Sequence, residues 1–199
     1  MHLLHLSQDP LLKPLLEQIE LPAFVARPVY PALLESIISQ QLSTRVADVI
    51  HGRFLALFED RFPHPDQVLA LSSEALRSVG LSAQKANYLR NVAGFALTPG
   101  LEPAKIHAMT DDEVVAYLTQ IKGVGHWTAE MILMFALNRP DVFPVDDLVI
   151  QQTMVRLYGV EARGRPLRLR LTEIAEGWKP YRTYACRYLW RWKDTKASV

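Results

Sequence analysis

The chain is predicted to be all-α, a two-lobed helical bundle, on three observations. Apolar residues recur at helical spacing along most of its length, no stretch shows the period-two alternation of a half-buried strand, and the periodic segments are bounded by Pro, Gly, Ser or Asp. Residues 10–20 supply the first helical pattern. Tyr30, Leu33, Leu34, Ile37, Ile38 and Gln41 then share one helical face, and Val46, Val49, Ile50, Phe54 and Leu57 share the next. Further helices are expected over 66–78, 83–96, 111–121, 126–138, 147–158, 166–177 and 181–192. Pro99, Gly100 and Pro103 mark an internal break, and 139–144 a shorter loop. Residues 1–30 and 160–199 are expected to pack into one lobe and 31–158 into the other, with a cleft between them.

Composition bounds what such a bundle can be. A chain of 199 residues with 49% hydrophobic content can bury a core as one domain or as two lobes. Its apolar runs are interrupted well short of the roughly 20 residues a bilayer demands, and MHLLHLSQDP lacks the basic start and cleavage site of a secretory signal. A cytoplasmic, nucleoid-associated location without membrane contact is the expectation. The single cysteine, Cys186, excludes an internal disulfide, a four-cysteine zinc site and a four-cysteine iron–sulfur cluster, and reads as a small buried hydrophobe. Net charge is only +1, yet residues 160–199 hold ten Lys or Arg against four Asp or Glu. That basic segment either faces phosphates or forms a solvated helix surface.

The most specific local pattern is LTQIKGVGHWTA, residues 118–129. Gly123 and Gly125 permit a sharp turn without a Cβ in the way, so that amides around Val124 and His126 point outward at a helix start. Val114, Val115, Leu118 and Ile121 form an apolar stripe before the turn, and Ala129, Ile132, Leu133 and Ala136 another after it. The unit reads as helix, hairpin, helix, with the geometry to hold an anion, and the extended anion that suits it is nucleic acid. A fainter echo occupies residues 76–89, LRSVGLSAQKANYL, with Ser82 as N-cap and Lys85 in the first turn. It is either a plain helix connection or a second phosphate contact.

About twenty residues after the hairpin, FPVDDLVIQQ (143–152) places Asp146 and Asp147 at an apparent helix start, where the helix dipole favours an ionised carboxylate. One Asp serves as a cap, and a second must point elsewhere. A carboxylate beside a polyanion weakens binding, so its presence suggests chemistry. Cleaving an N-glycosidic bond builds positive charge on the sugar, which a fixed carboxylate stabilises, or it accepts a proton from attacking water. Trp127, Trp178, Trp190, Trp192, Tyr158, Tyr181, Tyr184 and Tyr188 concentrate aromatic surface in the second half. Most belong to a core, but aromatic faces also hold an extruded base, and a base made cationic by alkylation gains cation–π attraction.

In this order, ISQQLSTRVAD (38–48), GLSAQKANYL (80–89), IKGVGHWTA (121–129), FPVDDLVIQQ (143–152) and WKPYRTYACRYLW (178–190) resemble the helix-hairpin-helix DNA glycosylases, in their 3-methyladenine DNA glycosylase II branch. The resemblance spans about residues 30–192. It implies Asp147 as the catalytic carboxylate, with Asp146 as runner-up, and Leu42, following Gln40 and Gln41, as the wedge that fills the space of a flipped nucleotide. Trp127 and Trp190 match base-pocket positions, to which Met131 and Tyr188 are added. Gly123, Val124, Gly125, His126, Thr128 and Lys122 match the hairpin that grips the DNA backbone, in this family often with a monovalent cation bound by the hairpin backbone, here 121–126. Gln41, Ser82 and Lys85 complete the expected DNA contacts.

Departures from the family pattern shape the expected activity. Relatives that also nick the strand carry a lysine nucleophile two residues after the second hairpin glycine, where this chain has Trp127, so base removal without lyase chemistry is implied. One cysteine cannot build the iron–sulfur cluster of other relatives, and the chain reads as a minimal form without the N-terminal β-rich domain of larger members. Met131 stands where some relatives have a pocket tyrosine, and Lys122 replaces the usual hairpin proline. The expected protein is a monomeric, monofunctional glycosylase acting on alkylated purines in double-stranded DNA, with no cofactor, no catalytic metal and no protein partner. Two alternatives remain, a non-catalytic helix-hairpin-helix module that binds DNA structure and an all-α interaction scaffold. The first predicts binding with no base released, the second no binding at all.

Overall fold

In the computed structural model, which describes residues 1–196, thirteen α-helices and no strand occur among the described residues. In chain order they are α1 (His2–Leu6), α2 (Lys13–Gln18), α3 (Val29–Ser39), α4 (Thr44–Leu55), α5 (Pro65–Ala70), α6 (Ser73–Ser78), α7 (Ala83–Phe95), α8 (Pro103–His107), α9 (Asp111–Leu118), α10 (His126–Phe135), α11 (Leu148–Tyr158), α12 (Gly164–Glu176) and α13 (Arg182–Lys196). A π-helical turn, Ala96–Gly100, prolongs α7 to the predicted break.

Two compact units divide the chain. One comprises Ala26–Leu137, the other Met1–Val25 with the described residues from Asn138 onward. The boundary differs from the expected one: residues 138–158 join the C-terminal helices, not the hairpin. The reason is packing, because Ile150, Thr153 and Met154 of α11 are buried and α11 lies against α13. Asp146 and Asp147 therefore share a unit with the aromatic C-terminal helix.

In the first of these units, α7 is the central element and is packed by α3, α5 and α6, while α10 packs on α9 and α3. Leu33, Ile37 and Ile38 of α3 are fully buried, as their helical spacing predicts, and Leu89, Val92 and Ala93 of α7 are fully buried as well. The helix expected over 66–78 is two helices. Leu71 turns extended, and Ser72 opens α6 by accepting a hydrogen bond from Ala75 N at 3.1 Å.

In the other unit, Trp178, Leu171, Ala175, Ala185, Cys186 and Leu189 form the core, and Cys186 is buried as expected. The N-terminal segment is tied in by Asp9. Its Oδ1 accepts from Leu11 N (2.9 Å) and Leu12 N (3.1 Å), while its Oδ2 accepts from Tyr158 OH (2.6 Å) and Trp178 Nε1 (3.0 Å). Burial, reinforced by the Asp9 hydrogen bond, pushes the Tyr158 phenol well above its ordinary range. No helix is long and apolar enough to cross a membrane among the described residues.

Candidate DNA-contacting hairpin and carboxylate site

The hairpin forms where the two glycines predict it, but they act differently. Gly123 sits at φ 108°, and a Cβ there would lie 2.3 Å from the Tyr88 ring of α7. Only glycine fits both the backbone angle and the space. Gly125 has φ −91°, is the N-cap of α10, and a Cβ there would meet nothing within 4 Å. Its reason to be glycine does not lie in the packing of the chain. Between them Val124 is buried and donates its N–H to Ile121 O at 2.9 Å, anchoring the turn. No side chain caps α10, so the amides that open it have no intrahelical acceptor, the arrangement that receives an anion.

The side chains around the turn divide sharply. Lys122 is exposed, and its carbonyl accepts from Asn91 Nδ2 at 2.9 Å. It lines a polar recess of about 530 Å³ with Gln84, Asn87, Tyr88, Arg90 and Asn91. His126 is exposed and its Nδ1 lies 3.5 Å from Glu130 Oε1. Thr128, expected to contact DNA, is buried on the first turn of α10. Trp127 is 40% exposed on the first turn of α10. Met131 lines a pocket of about 150 Å³ with Ser36, Ser39 and Phe135, between α3 and α10.

The α3–α4 turn carries the predicted wedge. Gln41 adopts φ 58°, and Leu42 follows at 36% exposure, a large apolar side chain presented to solvent. Gln40 Nε2 donates to Gly123 O at 3.4 Å, which joins this turn to the hairpin. Ser82 caps α7 by accepting from Lys85 N at 3.2 Å. The Lys85 ammonium turns inward and donates to Ile38 O and Gln40 O, and burial holds its pKa below the usual lysine value.

In the other unit the two aspartates separate by role. Asp147 is the N-cap of α11, 8% exposed, and its Oδ1 accepts from Ile150 N at 2.8 Å. The same oxygen accepts from Trp190 Nε1 at 3.1 Å, so α13 delivers an aromatic donor to the carboxylate. Asp146 is exposed and paired with Arg168 of α12. Asp147 thus both caps and meets an aromatic residue, whereas the sequence suggested that one member of the pair would cap and the other be free for chemistry.

Tyr188 does not join Asp147 and Trp190. It lines a separate cavity of about 660 Å³ with His2, Phe24, Tyr184 and Arg187, and burial pushes its phenol pKa up. Residues two apart on a helix point to different faces, so Tyr188 and Trp190 of α13 serve different neighbours. Sequence reasoning missed Arg187, which is buried, packs over the Phe24 ring at 3.9 Å and donates to Pro22 O. Among the described residues, no cluster of His, Cys, Asp and Glu is arranged to hold a metal ion.

Comparison with known proteins adds four findings. The model of a family described as HhH-GPD superfamily base excision DNA repair protein matches residues 34–180. DNA-3-methyladenine glycosylase 1 of Schizosaccharomyces pombe is 36% identical over 165 residues, covering 81% of this chain and 71% of its own length. The solved structure of the Schizosaccharomyces pombe 3-methyladenine DNA glycosylase with abasic DNA has a TM-score of 0.84 at 33% identity, over 96% of this chain and 95% of that one. The crystal structure of a DNA-3-methyladenine glycosidase from Bacillus halodurans has a TM-score of 0.81 at 35% identity, over 98% and 89% of the two chains.

Proposed function

The chain belongs to the HhH-GPD superfamily of base excision DNA repair proteins, and from that premise we propose that it is a DNA glycosylase removing alkylated purines such as 3-methyladenine from double-stranded DNA. The observation that carries this reading is Asp147, a buried carboxylate held at a helix start by a backbone amide and by the Trp190 indole. A carboxylate in that setting is fixed before substrate arrives. It stabilises the oxocarbenium-like charge of the departing sugar, or accepts a proton from the attacking water, without reorganising. Interactions stronger in the transition state than in the bound substrate raise the rate. Alkylated purines are cationic or weakly bound leaving groups, so one carboxylate and stacking rings suffice for them.

In this proposal the hairpin amides and Lys122 hold the DNA backbone, Leu42 occupies the space of the extruded nucleotide, and Trp190, hydrogen-bonded to Asp147, presents its ring to the base. The protein acts as a monomer, and it acts without a strand-nicking step because position 127 offers an indole and no amine for a Schiff base. Relatives named as 3-methyladenine glycosylases at 36% and 35% identity support the substrate class.

The test is direct. The purified protein is incubated with duplexes carrying alkylated and deaminated bases, and free bases are identified by chromatography. Release of methylated purines is expected, together with no covalent enzyme–DNA adduct on borohydride trapping. DNA binding without any released base would instead establish a non-catalytic binding module, and a trapped adduct would overturn the monofunctional assignment.

A further inference from the structure

Lys85 looks in the sequence like a cation aimed at a phosphate, because it lies in the first turn of α7 behind the Ser82 cap. Its side chain goes the other way. Nζ donates to Ile38 O at 2.7 Å and to Gln40 O at 2.8 Å, two carbonyls at the C-terminal end of α3. The last carbonyls of a helix have no intrahelical donor, and a cation there also meets the negative end of the helix dipole.

The residues that these bonds hold are unusual. Gln41 follows directly, in the left-handed region at φ 58°, a conformation that a side-chain-bearing residue keeps only where its surroundings enforce it. Leu42 comes next, one of the exposed large apolar side chains. The turn is fastened from a second direction by Gln40 Nε2 on Gly123 O. Lys85 itself is set in place by the Ser82 cap on its own backbone N–H. An exposed leucine on a turn gripped from two sides is an arrangement for presenting that leucine rigidly.

We propose that Lys85 is a positioning residue for base extrusion. It locks the Gln40–Leu42 turn so that Leu42 enters the DNA stack ready-formed, and it makes no phosphate contact. This rests on the glycosylase reading and deepens it. Preorganisation lowers the ordering cost that a loose turn incurs each time it binds.

The experiment compares wild type, Lys85→Met, Lys85→Arg, Leu42→Ala and the Lys85→Met/Leu42→Ala double variant, each checked for a cooperative thermal transition. The probe is a duplex with 2-aminopurine beside a tetrahydrofuran abasic analogue, whose fluorescence rises when stacking is broken. Affinity is measured across salt concentrations.

Lys85→Met is expected to weaken the fluorescence rise about tenfold, as loss of charge-assisted hydrogen bonds implies, with the salt slope of binding unchanged. In the Leu42→Ala background the same substitution adds nothing, since no wedge remains to be positioned. Lys85→Arg, which keeps donors and charge, recovers part of the loss. A salt slope shallower by about 0.9, the signature of one lost phosphate contact, would overturn the proposal. So would full additivity with Leu42→Ala. Should Lys85→Met fail to fold, the same slope and additivity are read from Lys85→Gln. Wild-type protein that disturbs stacking at the abasic analogue yet releases no methylated base would sink the glycosylase reading alone, leaving the role of Lys85 in the turn decided by the slope and the cycle.

Discussion

The indole N–H of Trp190 and the backbone N–H of Ile150 converge on one oxygen, Asp147 Oδ1, at 3.1 and 2.8 Å. Two donors from two different helices fix the rotamer of the carboxylate and, in return, the carboxylate fixes the plane of the indole. Trp190→Phe keeps an aromatic face and removes only the donor. A hydrogen bond to a charged group is worth about 1.5–3 kcal/mol, so release of methylated bases is expected to slow by about ten- to a hundredfold under single-turnover conditions. The far-ultraviolet circular dichroism of the variant should match wild type, because Asp147 still caps α11 by accepting from Ile150 N. A rate equal to wild type would show that the indole N–H does not orient the carboxylate.

The adjacent aspartates give a sharper contrast. Asp147→Asn preserves a side-chain oxygen able to cap α11, asparagine being as good an N-cap as aspartate. The fold is therefore expected to survive while base release falls by about a hundredfold or more, the scale lost with a key electrostatic partner, and affinity for an abasic duplex holds or rises because a charge that repels phosphate is gone. Asp146→Asn loses an exposed pair with Arg168. Such pairs contribute about 0–1 kcal/mol, so both stability and rate should remain near wild type. Measuring the four quantities together, stability and rate for each variant, separates capping from catalysis. A loss of activity confined to Asp146→Asn would reverse the assignment.

The extent to which this site was legible depended on the range of the interactions involved. Helical spacing shows the buried faces of α3 and α10, and the glycine pair shows the hairpin, because both are local signals. The break between α5 and α6 was also local, carried by Ser72, but a continuous apolar pattern concealed it. Sequence alone offers Lys85 as a candidate phosphate contact and does not show its partners at Ile38 and Gln40, which are more than forty residues away and are backbone carbonyls without a sequence signature. Asp9, whose partners Tyr158 and Trp178 lie near the other end of the chain, was invisible for the same reason. Tyr188, expected in the base pocket with Trp190, lines another cavity because residues two apart on a helix point to different faces.

At the N-terminus of α9, a capping box sets a pH dependence. Thr110 N and Oγ1 donate to Glu113 Oε2 at 2.7 and 2.9 Å, and Glu113 N donates to Thr110 Oγ1 at 3.3 Å. The hydrogen bonds from Thr110 hold the Glu113 carboxyl below its ordinary pKa. A depressed acid stabilises the fold above its unfolded pKa of about 4.3, and that contribution disappears as pH falls through the folded value. Glu113→Gln should thus have a lower urea midpoint than wild type at pH 7, with the gap closing below about pH 4. A gap that stayed constant down to pH 3 would mean that the charge of Glu113 has no part in the cap.

The two hairpin glycines separate folding from binding. Gly123→Ala places a methyl group against the Tyr88 ring at a backbone angle that alanine disfavours, so destabilisation of several kcal/mol is expected from strain and overpacking combined. Tyr88→Ala in the same chain removes the clash but not the angle and should recover only part of that loss. Gly125→Ala has no such conflict within the protein, since φ is −91° and the space beside it is open. It should fold with a melting temperature near wild type. If the opening amides of α10 receive a DNA phosphate, the added methyl intrudes on that approach, and affinity for duplex DNA should fall at least about tenfold with little change in stability. The pair is informative as a set: melting temperatures measure the first substitution and fluorescence anisotropy with labelled duplex measures the second. Wild-type affinity in Gly125→Ala would remove the hairpin amides from the DNA contact and leave the turn a purely structural joint.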